Sequence, residues 1–159
     1  MSTPNKTSVN TDYKVVIEKV FNAPIEKVFN AWIDEKIVSE WFSPNDFIVS
    51  YCKINPVPGG SIRITMKGPD GKEYPNRGNF VEIVDNEKIV FTTALLDDKG
   101  LTLIEDFNTV TFQNAGKGKT KVLLNAQVIK TIKGNEQYIE GMDEGWKQTI
   151  DKLEIYLNK

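Results

Sequence analysis

The chain has 159 residues, 20 basic and 22 acidic side chains, a net charge of -2 and 40% hydrophobic content, which suits one domain with a single core and offers no bulk field for nucleic acid or an anionic membrane. No apolar run approaches the ~18 residues of a membrane span and the first residues are polar, so cytoplasmic residence is the default expectation. Histidine is absent and Cys52 is the lone cysteine, which excludes Ser-His-Asp triads, imidazole shuttles, thiolate or histidine metal sites and an internal disulfide.

What survives is carboxylate, lysine or tyrosine chemistry, or none, and no catalytic residue, metal or cofactor is expected. Lysine dominates the basic residues and leaves only Arg63 and Arg77 as planar forks for a carboxylate or phosphate. Cys52 reads as a strand residue and not as a nucleophile.

Residues 1–12 read as a flexible tail and residues 13–158 as one domain. Tyr13, Val15, Ile17 and Phe21 recur in period two, the pattern of a first strand. Asn22-Ala23-Pro24 ends it, with Asn22 the expected N-cap of a short helix carrying Val28, Phe29, Trp32 and Ile33. Asp34 caps a second short helix over Glu35 to Phe42, which Ser43-Pro44 stops. From Asp46 onward the pattern turns to strands: Phe47 to Ile54, Ile62 to Met66, Phe80 to Val84, Ile89 to Leu95, Leu101 to Gln113 and Lys119 to Val128. Turn residues separate them, among them Pro58-Gly59-Gly60, Pro69-Asp70-Gly71 and Gly116-Lys117-Gly118. The glycine pairs fit no phosphate loop, since none opens a helix.

A final helix is predicted over Asn135 to Leu157, its inward stripe Tyr138, Met142, Trp146, Thr149, Ile150, Leu153 and Leu157. Gly141 and Gly145 interrupt it, and each costs about 1 kcal/mol relative to alanine in a helix interior. Gly141 falls nearer the polar side. Gly145 falls at the edge of the stripe, where it serves either close packing against a strand or a gap left for a ligand. Seven strands joined by short connections argue for an α+β fold, an antiparallel meander wrapped around this helix.

Strand, two short helices, six strands and one long helix is similar to the helix-grip order of START-like, birch-pollen-allergen-like domains. Ala23-Pro24 with Val28-Phe29 and Ala31-Trp32, Glu40-Trp41-Phe42, Pro58-Gly59-Gly60, Gly68-Pro69-Asp70-Gly71, Arg77-Gly78 and Gly145-Trp146 with Leu153 resemble the branch of activators of the heat-shock-protein-90 ATPase. The resemblance covers about Tyr13 to Leu157. Departures are Asp34-Glu35 for the family's Asp-Pro, Trp41-Phe42 for its paired tryptophans and Ser43-Pro44 for its Gly-Pro.

The resemblance implies a space between curved sheet and last helix, with the short helices and loops at its mouth. Candidate lining residues are then Trp32, Trp41, Met66, Phe80, Phe91, Phe107, Met142, Gly145 and Trp146; ordinary close packing is the competing account of each. Arg77 is a candidate clamp for a ligand acid if it points inward, against a solvent-facing charge or a pairing with Glu105 or Asp106. Arg63, between Ile62 and Ile64, belongs on the opposite, wet face. Glu105 and Asp106 are acid or base candidates only if burial raises their pKa. The leading expectation is a non-enzymatic domain sheltering a small apolar or amphipathic molecule, lipid-, aromatic- or polyketide-like. A chaperone or stress-response interaction module and a cofactor-free cyclase or hydrolase are the alternatives, as monomer or homodimer, with no nucleic acid or membrane partner.

Overall fold

This computed structural model describes residues 13–131 and 139–159. The predicted tail and the residues Asn135 to Tyr138 of the predicted last helix lie outside the described residues. The elements are β1 (Lys14–Phe21), α1 (Ile25–Asn30), α2 (Glu35–Trp41), β2 (Ile48–Ile54), β3 (Ser61–Lys67), β4 (Glu73–Val84), β5 (Lys88–Leu96), β6 (Thr102–Asn114), β7 (Thr120–Thr131) and α3 (Met142–Leu157). All strands form one curved antiparallel sheet in the order β1-β7-β6-β5-β4-β3-β2. The meander therefore runs from β2 to β7, and β1 crosses to pair with β7, leaving β1 and β2 at the edges.

Alternation decides which side chains enter the core. On β6, Ile104, Asn108, Val110 and Phe112 are buried or nearly so, and on β7 Val122, Leu124, Ala126 and Val128 are, as period two requires. Register shifts interrupt four of the six ladders: between Val49 and Tyr51, Phe80 and Glu82, Leu95 and Leu96, and Glu105 and Asp106. Each adds an unpaired residue to one strand, which bends it and lets a seven-stranded sheet curl over its helices.

Most boundaries differ from the sequence reading by a residue or a few; α1 ends at Asn30, before Trp32 and Ile33, and two further differences matter. The N-cap of α1 is Pro24 (φ -69°, ψ 156°), with no side-chain cap, not Asn22; the proline's fixed φ sets the extended geometry that a cap needs. Strand β4 starts at Glu73, not Phe80, and so runs through Pro75-Asn76-Arg77-Gly78, which looks like a turn in isolation. Pairing on both sides, Arg77 with Arg63 and with Ala94, overrides that local preference. Asp34 caps α2 as expected, its Oδ1 accepting from the amides of Lys36 (3.0 Å) and Ile37 (3.3 Å).

The main core joins an aromatic block to the foot of α3, with Ile104, Val128 and Ile139 in a smaller cluster apart. Trp32 and Trp41 meet edge to face at 4.7 Å, and Trp32 and Phe29 each meet Phe112 edge to face as well. Trp41 is fully buried, and its Nε1 donates to the Ala31 carbonyl at 3.0 Å. Thr149, Ile150, Leu153 and Leu157 bury the C-terminal half of α3 in the same core. Lys19 on β1 holds that half with Asp151 (3.1 Å) and Glu154 (2.9 Å).

Gly78 marks where the strands approach most tightly. A Cβ there would lie 1.7 Å from the Thr92 carbonyl oxygen and 2.6 Å from its carbon, both backbone atoms that cannot turn aside. Gly78→Ala is expected to cost about 1–3 kcal/mol or more, read as a lower urea midpoint at unchanged slope; a midpoint within error of the parent would contradict the close approach.

Candidate functional site

The N-terminal half of α3 does not complete the core. Between it and strands β3 to β6 lies a cavity of about 490 Å³. Met142, Gly145, Trp146 and Thr149 face it from the helix, Ile64, Met66, Tyr74, Asn76, Thr93, Leu95, Ile104 and Asp106 from the sheet, and Phe42, Pro44 and Phe47 from the α2–β2 connection. Gly141, the N-cap of α3 (φ -87°, ψ -4°), also lines it, between the helical residues Ile139-Glu140 and the first turn of α3. Apolar side chains make up most of the wall.

Four sequence candidates meet here: Met66, Met142, Gly145 and Trp146. Others lie elsewhere. Trp32, Trp41, Phe80 and Phe91 are at most 5% exposed and belong to the aromatic core; Trp32, Phe80 and Phe91 border only a void of about 20 Å³. Phe107 is 37% exposed on the outer face. Its odd position on a strand whose inward set is 104, 106, 108, 110 and 112 already predicts that, because period two runs unbroken from Ile104 to Phe112. Arg77 is exposed and does not line the cavity; Arg63 is its cross-strand neighbour on the same outer face. The acid clamp is therefore absent, and the inward residues flanking Arg77 on β4 are Tyr74 and Asn76. Cys52 is half-buried on β2, and burial, then the Glu35 charge, push its thiol up to about 11, out of nucleophile range.

Gly145 answers the question its position raised. No atom outside its own helical turns lies within 4 Å of where its Cβ would stand, so close packing is not its purpose; the missing side chain leaves cavity. Its carbonyl accepts a 2.8 Å bond from Thr149 Oγ1. Trp146 stands beside it, edge to face with Phe42 at 5.6 Å.

The rim is fastened by polar groups of α3. Lys152 Nζ donates to Ser43 Oγ, the Pro44 carbonyl and the Phe47 carbonyl, each at 2.9 Å, which uses all three of its protons. Burial pulls its pKa below the ordinary value, with the Asp46 carboxylate opposing. Gln148 Oε1 accepts from the Asn45 amide at 3.0 Å. The loop that carries Pro44 and Phe47 is thus tied to the helix that carries Trp146.

Asp106 is the polar exception. It pairs across the sheet with Thr93, whose Oγ1 donates to Asp106 Oδ1 at 2.8 Å while accepting from Asn108 Nδ2 at 3.2 Å. Among the described lining residues it is the one charged side chain. Desolvation pushes its carboxyl up to about 7, with the Glu105 charge adding to the rise and bonds from Thr93, its own backbone and Asn108 opposing it. Composition and alternation do place residue 106 inward, but neither reveals that its surroundings are apolar.

A family model for activator of Hsp90 ATPase homolog 1-like proteins matches residues 22–158. No curated protein matches the chain. Among solved structures, the chain is similar to a protein from Arthrobacter aurescens (TM-score 0.79, 21% identity, covering 96% of this chain and 90% of that one). An AHSA1 protein from Silicibacter pomeroyi gives a TM-score of 0.77 at 19% identity, over 92% and 98%. A protein from Nitrosomonas europaea gives 0.75 at 24%, over 94% and 97%. At these identities the likeness establishes the shared fold.

Two outcomes are expected of the site residues. Gly145→Ala places a methyl in open space and removes a helix-interior glycine, so it is expected to stabilise the protein by about 0.5–1 kcal/mol in denaturant unfolding; a loss would return Gly145 to a packing role. Asp106 has a folded pKa near 7 against an ordinary 3.8, so the folded state holds the proton more tightly and stability falls as pH rises from about 4 to about 7, then levels. Asp106→Asn is therefore expected to be more stable than the parent at pH 8, by up to about 3–4 kcal/mol, with the gap closing towards pH 4. A gap independent of pH would show that the carboxyl is not desolvated.

Proposed function

The chain belongs to the activator of Hsp90 ATPase homolog 1-like family, and we propose that it works as a binding domain that shelters a small, largely apolar molecule between β3 to β6 and the N-terminal half of α3. The observation that carries this reading is the cavity of about 490 Å³, a size within the range of small-molecule sites. Close packing is the default for apolar side chains, and unfilled apolar space costs stability. Gly145 deepens the cavity at a further cost to the helix. Two unfavourable features at one place favour use over accident.

The wall chemistry supports the same reading. Met66 and Met142 adapt to varied shapes, and Trp146 and Phe42 offer flat faces. A chaperone-docking role would draw on the outer face, and nothing in the cavity serves it. Acid–base turnover would draw on Asp106, which has no second carboxyl or cation beside it among the described lining residues; sheltering needs none.

N-phenyl-1-naphthylamine, a neutral apolar fluorophore, tests the proposal. The parent protein is expected to bind it with enhanced emission, and Gly145→Leu, which fills the space, is expected to weaken binding by about tenfold or more while leaving the thermal midpoint no lower. Silence from the parent, or equal binding by the leucine variant, would sink the reading.

A further inference from the structure

The polar corner of the cavity has a direction. Asn108, fully buried, donates from Nδ2 to Thr93, and the Thr93 hydroxyl donates onward to Asp106 Oδ1. The Asn108 amide proton goes to Thr93 and the Thr93 hydroxyl proton to the carboxyl, so the relay ends on Asp106 as its acceptor. Asn108 Oδ1 is buried with no donor. Asn108 lies behind the wall and does not line the cavity; Asp106 does, and although it accepts from Thr93, its own backbone and Asn108, an ionised carboxylate has about four lone-pair sites and no cation among the described lining residues offsets its charge. No lysine or arginine among the described residues faces the cavity: Arg63 and Arg77 lie on the outer face, and the Lys152 ammonium is committed to the rim carbonyls. The Glu105 charge repels that of Asp106. β3, β4, β5 and α3 present only uncharged side chains to the cavity.

We infer that the ligand is an amphipathic amine, its ammonium group seated on Asp106 and its apolar body lying along Met142 and Trp146. This rests on the cavity being a ligand site and adds the polarity of the ligand. A carboxylic acid would meet a like charge with no cation to offset it. An ammonium supplies a further donor and the positive charge that the wall lacks, and so neutralises a carboxylate that is costly to leave without a counter-charge away from water.

Three compounds of one skeleton separate the possibilities: 4-phenylbutylamine, 4-phenylbutan-1-ol and 4-phenylbutanoate, titrated by calorimetry. At about pH 8 the amine is expected to bind at least about tenfold tighter than the alcohol, and the acid more weakly than the alcohol. Asp106→Asn is expected to bring the amine down to the alcohol's affinity without moving the alcohol. Lowering the pH from about 8 to about 6 protonates the free carboxyl and should weaken the amine, and not the alcohol, by roughly tenfold. Alcohol binding with no preference for the amine, or an amine preference that survives Asp106→Asn, overturns the inference and leaves the cavity reading standing. If none of the three binds the parent protein, both fall.

Discussion

Covering one concave sheet face is the constraint on which the rest of this structure depends. Seven strands spaced about 4.8 Å apart span roughly 29 Å. A 16-residue helix is about 24 Å long and about 10 Å wide, so α3 alone cannot close that face even over a curved sheet. The chain meets the shortfall with α1, α2 and the turn between them, whose Val28, Phe29, Trp32, Val38 and Trp41 fill one end. The Trp32–Trp41 pair, with the Trp41 indole bonded to Ala31, makes that filling rigid. What remains beneath the first turns of α3 is neither covered by the short helices nor filled by the helix itself.

The cavity therefore follows from how the face is shared between helices, and local choices keep it open. Gly141 and Gly145 withhold side chains on the helix side, and the rim loop is held off by Lys152 and Gln148 instead of collapsing inward. Lys152 spends a partly buried cation on three oxygens, an arrangement that fixes the separation between loop and helix. The same open space explains why Asp106 is perturbed. A carboxyl facing an apolar cavity has lost bulk water on that side without gaining a cation, and stability is given up where recognition is possible.

The family to which the chain belongs accounts for the architecture and says little of the ligand, since one fold hosts many sites. Polarity of the wall is what narrows the class of molecule. Turning both arginines outward and one aspartate inward makes the interior weakly anionic, the opposite of what an acid-clamping arginine would have made it.

Much of this was legible in the residues themselves. Period two in Ile62 to Met66, the Asp34 cap and the amphipathic spacing of Thr149 to Leu157 specify elements because they are local, and the order of elements with its scattered motifs specifies the helix grip. Parity alone places Phe107 outward and Asp106 inward. Trp32 and Trp41 show the limit: large aromatics near an expected mouth suit a pocket or a core equally, and only the packing of α1 on β6 and of α2 on β2 decides for the core. Pro75 to Gly78 falls outside the strands that periodicity marks, and two neighbouring strands hold it extended. Gly145 is visible as an anomaly, yet whether its missing methyl faces a strand or empty space depends on how α3 sits over the sheet. Periodicity and caps depend on neighbours a few residues away; burial, cavity volume and a carboxyl's pKa depend on atoms brought together from β3 to β6 and α3, which only the tertiary fold assembles.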